Sequence, residues 1–188
     1  MKLIIVLMSI LLSGLVFAEN TESIREARGN AALLGQSLQT ELINAMKSGG
    51  PLAAINFCHI KAMPISQDIS ATTGWQVGRT SLRLRNVDNR PDGWEKKQLK
   101  LFEKRLAAGE PANELEVFEV QQKGDQQTER YMKAIVIAQP CLVCHGEALS
   151  TELSTQLYSL YPQDKARGYK LGELRGAFTL QRVSTAAN

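Results

Sequence analysis

One short motif constrains this chain of 188 residues more than any other feature, namely Cys141-Leu142-Val143-Cys144-His145. Two thiols at this spacing reach the two vinyl groups of one porphyrin, and a histidine directly after the second can turn its imidazole onto the iron. The motif therefore predicts one covalently attached haem c. Cys141 and Cys144 are the predicted thioether residues, and His145 is the predicted proximal iron ligand.

Two other kinds of site use the same residue types and are alternatives to the haem prediction. A Cys-x-x-Cys disulfide redox centre is typical of a thioredoxin-like βαβ context, which the sequence pattern does not provide. A tetrahedral zinc site would need four ligands, and the available set is Cys58, Cys141, Cys144 and one of His59 or His145.

The chain begins with an apolar run that follows Lys2 and ends in Val16-Phe17-Ala18. This pattern predicts a secretory signal peptide, residues 1–18, cleaved after Ala18, and a periplasmic or otherwise exported mature chain. An uncleaved anchor is the alternative, but the run is shorter than the roughly 20 residues that span a bilayer. We therefore expect one exported domain, residues 19–188, with no stable membrane span. Export supports the haem prediction, because c-type haem is attached after translocation.

Composition excludes several other classes of protein. With 44% hydrophobic and 22% charged residues, the chain is typical of a folded globular domain. The formal net charge of +3 is too small a basic excess to indicate a nucleic-acid partner. The sequence has no hydrolase triad, phosphate-binding loop or glycosidase carboxylate pair, so we expect a binding protein rather than an enzyme.

Hydrophobic periodicity predicts an α+β fold that begins with long helices. Apolar spacings of three and four predict helices over residues 22–47 and 51–71, separated by Ser48-Gly49-Gly50, with a kink at Pro64. A capping box of Asp92 and Glu95 begins a helix that runs to residue 108. Strands are predicted over residues 75–85, 115–120, 131–138 and 174–183, and a short helix over 149–160. Strands interrupted by single helices indicate an antiparallel sheet.

The residue pattern leaves the ligand on the other side of the iron open. Candidates are an exogenous molecule and the side chains of Cys58, His59, Met46, Met63 and Met132. Cys58 faces the apolar side of its helix, which also fits a plain buried residue. It is the thiol left over after haem attachment, and coordination would explain why it stays unoxidised in an oxidising compartment. His59 lies one position around the helix, where a partly exposed side chain is expected.

Four arginines are candidates for the two haem propionates, because guanidinium pairs with carboxylate through two parallel hydrogen bonds. They are Arg79, Arg83, Arg85 and Arg175. The first three share one side of the strand predicted over residues 75–85, and a solvated basic strand face is the alternative. Trp75, Phe57 and Leu142 are expected to line the haem pocket, although plain core residues would give the same pattern.

Several blocks of the sequence resemble a known family. They are Ala54–Cys58, Gly74–Asn86, Arg90–Glu95, Gln139–Gly146, Gly168-Tyr169 and Leu174–Phe178. Together these blocks resemble the exported c-type haem proteins with a PAS-like domain, a family catalogued as a domain of unknown function and known from cyanobacteria and other bacteria. The resemblance extends over about residues 31–183. It implies a PAS-like antiparallel sheet with flanking helices, His145 as the proximal ligand and a thiolate at Cys58 as the distal ligand.

The chain departs from the family pattern at Met63-Pro64, where Ala-Pro is expected, and His59 beside the cysteine leaves an exchange of ligand conceivable. Thiolate ligation favours ferric iron, and ferrous iron holds a thiolate less firmly. Our first hypothesis is therefore a monohaem module that senses redox state or a diatomic gas and reports it to a protein partner. A soluble electron carrier is the alternative. A haem peroxidase is a third hypothesis, and it needs an open distal face with an acid–base pair.

Overall fold

A computed structural model of the chain describes the backbone of residues 2–185 and the side chains of residues 20–185. The predicted signal peptide, residues 1–18, lies outside the residues whose side chains are described, and its cleavage stays a prediction. Within the described part of the chain, none of the helices combines the length and apolar character that crossing a bilayer requires.

The described residues form four helices and four strands, which is the α+β class that the sequence predicts. The helices are α1 (Lys2–Thr73), α2 (Gly93–Ala107), α3 (Leu142–His145) and α4 (Thr151–Leu160). The strands are β1 (Gln76–Thr80), β2 (Glu116–Lys123), β3 (Gln126–Val136) and β4 (Leu174–Thr185). Single turns of 3₁₀ helix cover Val87–Asn89, Ala112–Glu114 and Gln139–Cys141.

Helix α1 is divided by a break at Gly49 and Gly50, where the sequence predicts a helix end. Gly50 has φ +67° and ψ −160°, a combination that only glycine adopts readily. Residues 51–73 continue as the second segment of α1, and Pro51 stands at its start, where a missing N–H costs least. The predicted kink at Pro64 is not accompanied by a break in the backbone angles, because among the described residues of α1 only the two glycines depart from helical values.

The four strands form one antiparallel sheet in the order β1-β4-β3-β2. The predicted hairpin is confirmed, since β2 and β3 pair around a turn at Gly124-Asp125. The predicted last strand pairs with both β3 and β1, so β3 and β4 are the central strands. Residues 131–136 of β3 are mostly apolar, as expected for a central strand.

Each face of the sheet is covered by a helix. The first segment of α1 buries Ala27, Ala31 and Leu34 against one face, where they meet a cluster formed by Trp75, Val77, Tyr131 and Leu180. Helix α2 buries Leu99 and Phe102 against the other face, in a cluster with Leu115, Met132 and Ala177. Full burial of one such large apolar side chain stabilises the fold by about 1.5–3 kcal/mol. The start of α2 carries the predicted capping box, in which Asp92 and Glu95 accept from each other's backbone N–H at 2.8 Å.

The strand predicted over residues 75–85 is wrong in its second half, because β1 ends at Thr80. The Ser81 hydroxyl accepts from the Arg83 N–H at 3.1 Å, which bends the chain away from the sheet. The Leu84 carbonyl then accepts from the N–H of Lys165 at 2.7 Å, so this segment pairs with a loop after α4. Arg83 and Arg85 consequently do not lie on a strand face with Arg79.

Candidate functional site at the cysteine motif

The cysteine motif lies on a tight double turn directly after β3. Pro140 stands in the first 3₁₀ turn, Gln139–Cys141, and α3 follows without a gap. The motif ends at Gly146, whose N–H donates to the Leu142 carbonyl at 2.9 Å. A Cβ at this position would lie 2.6 Å from that carbonyl oxygen, so the close return of the chain requires glycine. The turn keeps both cysteines and His145 on one short segment.

His145 is held in one orientation by the loop that follows α4. Its Nδ1 lies 2.7 Å from the Ala166 carbonyl oxygen. A carbonyl can only accept, so Nδ1 carries the proton and Nε2 keeps a lone pair for another partner. The ring of Tyr169 packs edge-on against the imidazole, with 6.2 Å between centroids. Burial, followed by the charges of Arg175 and Arg85, lowers the pKa of His145 to about 3, so the imidazole is neutral at physiological pH.

Cys58 comes to this motif from the second segment of α1. Ile55, one turn earlier, packs against Leu157 and Tyr161 of a small core cluster, and Cys144 packs against the same cluster. Burial raises the pKa of the Cys58 thiol, and the charges of Arg79 and Arg85 act against this rise. Burial also raises the pKa of Cys144, and a negative charge on Cys58 adds to that effect. All three cysteines are free thiols.

The other candidates for the distal ligand are placed less favourably. His59 is exposed and packs edge-on against the Tyr161 ring, with 5.2 Å between centroids. Met132 is fully buried in the cluster under α2, on the sheet face opposite α1. Met63 is half-buried and lines a cleft of about 360 Å³ beside β1, and Met46 is half-buried in the first segment of α1. Among residues 20–185, no group of three or more His, Cys, Asp or Glu side chains is placed to hold a metal ion, so the zinc arrangement is not formed.

Arg79 is a half-buried cation beside Cys58. Burial lowers the pKa of its guanidinium, while negative charge on Cys58 and Tyr161 would act in the opposite direction. No carboxylate of the described residues lies within ion-pair distance of it, and it donates no hydrogen bond to them. Because an unpaired buried charge is costly, this guanidinium is suited to an anionic partner that approaches from the Cys58 side.

Arg85 has a different environment, because its guanidinium has three acceptors in neighbouring segments of the chain. Its Nη2 donates to the Cys144 carbonyl at 2.6 Å and to the Ala166 carbonyl at 3.1 Å. Its Nε donates to Oδ1 of Asp164 at 3.2 Å, and that carboxylate is almost completely buried. Arg85 therefore ties the cysteine motif to the loop that orients His145.

Arg83 and Arg175 both lie against Tyr169. The Arg83 guanidinium is 4.0 Å and that of Arg175 is 5.6 Å from the ring centroid. Arg175 also donates to the Ser81 hydroxyl at 3.0 Å, and Arg83 donates to the Lys165 carbonyl at 3.2 Å. Within the described range neither forms an ion pair with a carboxylate. Both line a cleft of about 610 Å³ on the α2 side, and the cysteines are not among its lining residues.

The three predicted pocket-lining residues have different surroundings. Trp75 is fully buried in the cluster under the first segment of α1, where Arg182 lies 4.5 Å from its ring centroid. Leu142 is half-buried against Ile137, Ala166 and Tyr169. Phe57 is half-buried, one residue before Cys58.

Sequence reasoning missed the residues of the loop after α4. Asp164 and Ala166 supply the contacts that hold Arg85 and His145, and Tyr161 packs against both His59 and the Ile55 cluster. Nothing in the local pattern distinguishes Asp164 from any loop carboxylate. The only signal near this loop is the Gly168-Tyr169 pair, which belongs to the blocks that resemble the haem family.

Comparisons with known proteins identify the family and the fold of the chain. The family model described as Tll0287-like matches residues 14–182. A solved structure, "Crystal structure of the cyanobacterial heme-protein Tll0287", is similar over 85% of this chain and 95% of that chain, with a TM-score of 0.57 and 21% sequence identity. At this level of identity the likeness shows a shared fold. No curated protein sequence matches the chain.

Proposed function

Because the chain belongs to the Tll0287-like family, we propose that it is an exported monohaem protein that carries one covalently bound haem c and senses redox state or a diatomic gas. The observation that carries the proposal is the hydrogen bond from His145 Nδ1 to the Ala166 carbonyl at 2.7 Å. It fixes the tautomer that leaves Nε2 available to a metal, which is how metal-binding histidines are commonly held. A solved structure that this chain resembles is titled a cyanobacterial heme-protein, which supports the choice of cofactor.

The residues at the motif fit a c-type haem. Cys141 and Cys144 are free thiols on one tight turn, as thioether formation requires. Arg79 offers a positive charge that no carboxylate of the described chain neutralises, and haem propionates are carboxylates. Arg83 and Arg175 also lack a carboxylate partner within the described range, but both already donate hydrogen bonds and lie against Tyr169, and Arg85 is paired with Asp164. We therefore favour Arg79 over the other three arginines as the propionate partner.

Each residue has a defined task in this proposal. His145 presents its neutral Nε2 on the proximal side, Cys58 presents sulfur from α1 on the distal side, and Arg79 favours the anionic form of that sulfur. The cluster of Ile55, Leu157 and Tyr161 supplies apolar surface one helical turn before Cys58. When bound, a haem iron supplies one-electron redox chemistry and can bind a diatomic gas at a vacated axial position.

Sensing is favoured over electron transfer because the two proposed ligands differ in how firmly they are held. His145 is anchored to Ala166, and its turn is fixed by Arg85. The described hydrogen bonds include none to the Cys58 sulfur, which is carried by a separate helix segment that joins the first through Gly49 and Gly50. We therefore expect Cys58 to dissociate upon reduction while His145 stays bound, which would open a site for a diatomic gas.

The first test is whether haem is attached. The full-length chain, expressed with a signal-dependent cytochrome maturation system, should give a red product with one haem per chain that survives denaturing electrophoresis. The alkaline pyridine spectrum should be that of two thioether links. Cys141→Ser and Cys144→Ser should each shift this spectrum toward a single link, whereas Cys58→Ser should leave it unchanged. A colourless wild-type product from maturation-competent cells would exclude the cofactor.

The second test concerns the distal ligand and the choice between sensing and electron transfer. Cys58→Ala should abolish the low-spin thiolate EPR signal of the ferric protein, and Met63→Leu is the matched control that should retain it. Upon reduction the wild type should lose the thiolate signature and bind carbon monoxide. If both ligands stay bound in both oxidation states, the protein is a carrier and the sensing proposal is wrong. Finding the haem protein unprocessed in the cytoplasm would contradict the proposed export.

A further inference from the structure

We propose that Arg85 is a positioning residue that sets the reduction potential of the iron through the hydrogen bond between His145 and Ala166. This inference rests on the proposed haem function. Arg85 does not touch the imidazole; it acts on the acceptor to which the imidazole is bonded. The Ala166 carbonyl oxygen accepts two hydrogen bonds, one from His145 Nδ1 at 2.7 Å and one from Arg85 Nη2 at 3.1 Å.

A carbonyl that accepts two donors is a weaker partner for each of them. The guanidinium withdraws electron density from the Ala166 oxygen, so His145 Nδ1 keeps more of its proton and the imidazole gains less imidazolate character. Hydrogen bonding to the second ring nitrogen is a recognised control of the basicity of a metal-bound histidine. A less basic imidazole donates less charge to the iron, which favours the ferrous state relative to a site without Arg85.

The Arg85 guanidinium also connects the cysteine motif to the loop that follows α4. Nη2 of Arg85 donates to the Cys144 carbonyl at 2.6 Å, and Cys144 directly precedes His145 in the chain. Nε bonds to Asp164, whose Oδ1 accepts from the Ala166 N–H at 2.9 Å. The histidine, its acceptor and the arginine are therefore held in one closed set of contacts, built from residues that are mostly buried.

Charge alone does not account for this arrangement, because Arg85 is paired with Asp164. The Asp164 side chain is 1% exposed and that of Arg85 is 11% exposed, so the pair is shielded from water. Asp164 also pairs with Arg167, so the three side chains together carry one net positive charge that both arginines share, whereas the bonds to the Ala166 and Cys144 carbonyls belong to Arg85 alone. The proposed effect therefore depends on the direction of the Arg85 donors. Arg167, which bonds to Oδ2 of the same carboxylate at 2.8 Å and has no bond to the Ala166 or Cys144 carbonyl, is a matched control.

The experiment compares haem-loaded wild type with Arg85→Gln, Arg85→Lys, Asp164→Asn and Arg167→Gln by potentiometric titration, with haem content and ferric EPR recorded for each. At a fixed solution potential, we expect Arg85→Gln to increase the ferric-to-ferrous ratio about tenfold. This corresponds to a fall of 59 mV in the reduction potential of a one-electron couple. Arg85→Lys keeps the charge and should give a smaller fall. Asp164→Asn should raise the potential, because Arg85 then loses its counter-ion and keeps its carbonyl contacts. Arg167→Gln should change the ratio less than twofold.

The outcomes separate the possible failures. A change below threefold in Arg85→Gln, or an equal change in Arg167→Gln, overturns the role of Arg85. If Arg85→Gln does not retain haem, the reduction potential of Arg85→Lys is the test. A potential below that of the wild type supports the proposal, and a potential equal to it overturns the proposal. A wild-type chain without covalent haem would instead refute the proposed function, and this is read from haem content before any potential is measured.

Discussion

Arginines in two regions of the molecule have opposite surroundings. At the scaffold, where α1 meets the sheet, each guanidinium has a carboxylate partner: Arg182 bonds to Glu129 at 2.6 Å and to Glu26 at 2.7 Å, and Arg28 pairs with Glu116. Near the cysteine motif, Arg79, Arg83 and Arg175 have no such partner among the described residues, whereas Arg85 and Arg167 share the carboxylate of Asp164. Arg79 and Arg175 are both half-buried, and burial lowers the pKa of each guanidinium.

The difference separates residues that stabilise the fold from residues that are prepared for a ligand. A paired arginine contributes to the free energy of folding of the chain alone, whereas an unpaired, partly buried arginine opposes folding until an anion arrives. Four measurements test this distinction, from the largest expected effect to the smallest.

Removing the carboxylate of Glu129 should have the largest effect on the scaffold. Its side chain is 4% exposed, so Glu129→Gln leaves Arg182 without its most buried partner and should lower the free energy of unfolding by about 2 kcal/mol. Glu26→Gln removes the more exposed partner of the same arginine and should cost less than half as much. Urea unfolding of both variants measures the difference. Equal effects would show that burial of the carboxylate does not decide the stability.

The scaffold pair of Arg28 and Glu116 should make the free energy of unfolding of the chain decrease at acidic pH. Hydrogen bonding from Arg28, with a further bond from Tyr131, lowers the pKa of Glu116 from its ordinary value to about 2. A carboxyl with a lowered folded-state pKa contributes stability above pH 4.5 that is lost as the pH falls toward 2. Arg28 is more than half exposed, so we expect about 1 kcal/mol from this group at pH 7.

Glu116→Gln should therefore be less stable than wild type at pH 7 by about this amount, and the gap should close as the pH falls from 4.5 toward 2. Unfolding midpoints across this pH range test the prediction. The exposed Glu114 provides the control, since Glu114→Gln should follow the wild-type curve throughout. A gap that widens toward low pH would contradict the assigned direction of the pKa shift.

At the cysteine motif, removing one charged side chain should stabilise the haem-free chain, whereas at the scaffold it destabilises the chain. In a Cys141→Ser, Cys144→Ser background, which cannot attach haem, Arg79→Gln removes an unpaired charge and should stabilise the chain by about 0.5 kcal/mol. In the haem-loaded protein the same substitution should destabilise, because a propionate loses its partner. Thermal unfolding with and without Arg79→Gln, in the haem-free background and in the haem-loaded protein, measures both changes in stability. Destabilisation of similar size in both backgrounds would mean that Arg79 is a structural residue.

The exposed pair of Arg25 and Glu22 sets the lower limit of the series. These residues are one helical turn apart, and both side chains are more than half exposed. Glu22→Gln should give an unfolding curve that cannot be distinguished from that of the wild type, since water screens such pairs. A measurable loss would show that an ion pair contributes at this surface whether or not it is buried, which would weaken the comparison.

Much of the fold can be predicted from local chemistry. The double glycine after Ser48, the capping box of Asp92 and Glu95 and the polar turn at Gly124 each specify backbone geometry through neighbouring residues, and the structure confirms all three. Periodicity is less informative about extent. Leu42 continues the apolar stripe that contains Leu38, yet it is 37% exposed, because spacing identifies a helix face and not the end of its packing partner.

The site could be predicted only where a motif marks it. The positions of Cys141, Cys144 and His145 follow from one pentapeptide, but Asp164 and Ala166, which bond to Arg85, lie 79 and 81 positions further along the chain. Alternation of polar and apolar residues placed Arg85 on a strand, whereas tertiary contacts to Asp164 and Ala166 determine its position. Such contacts depend on the whole topology and leave no local pattern.

The break in α1 has a stereochemical consequence. The φ and ψ of Gly50 are close to the mirror image of the extended conformation of ordinary residues, and no atom lies within 4 Å of the place where a Cβ would be. The obstacle to substitution is therefore handedness rather than space. A chain assembled by chemical ligation should accept D-alanine at this position, while L-alanine would change the angle at which the cysteine-bearing segment leaves the scaffold.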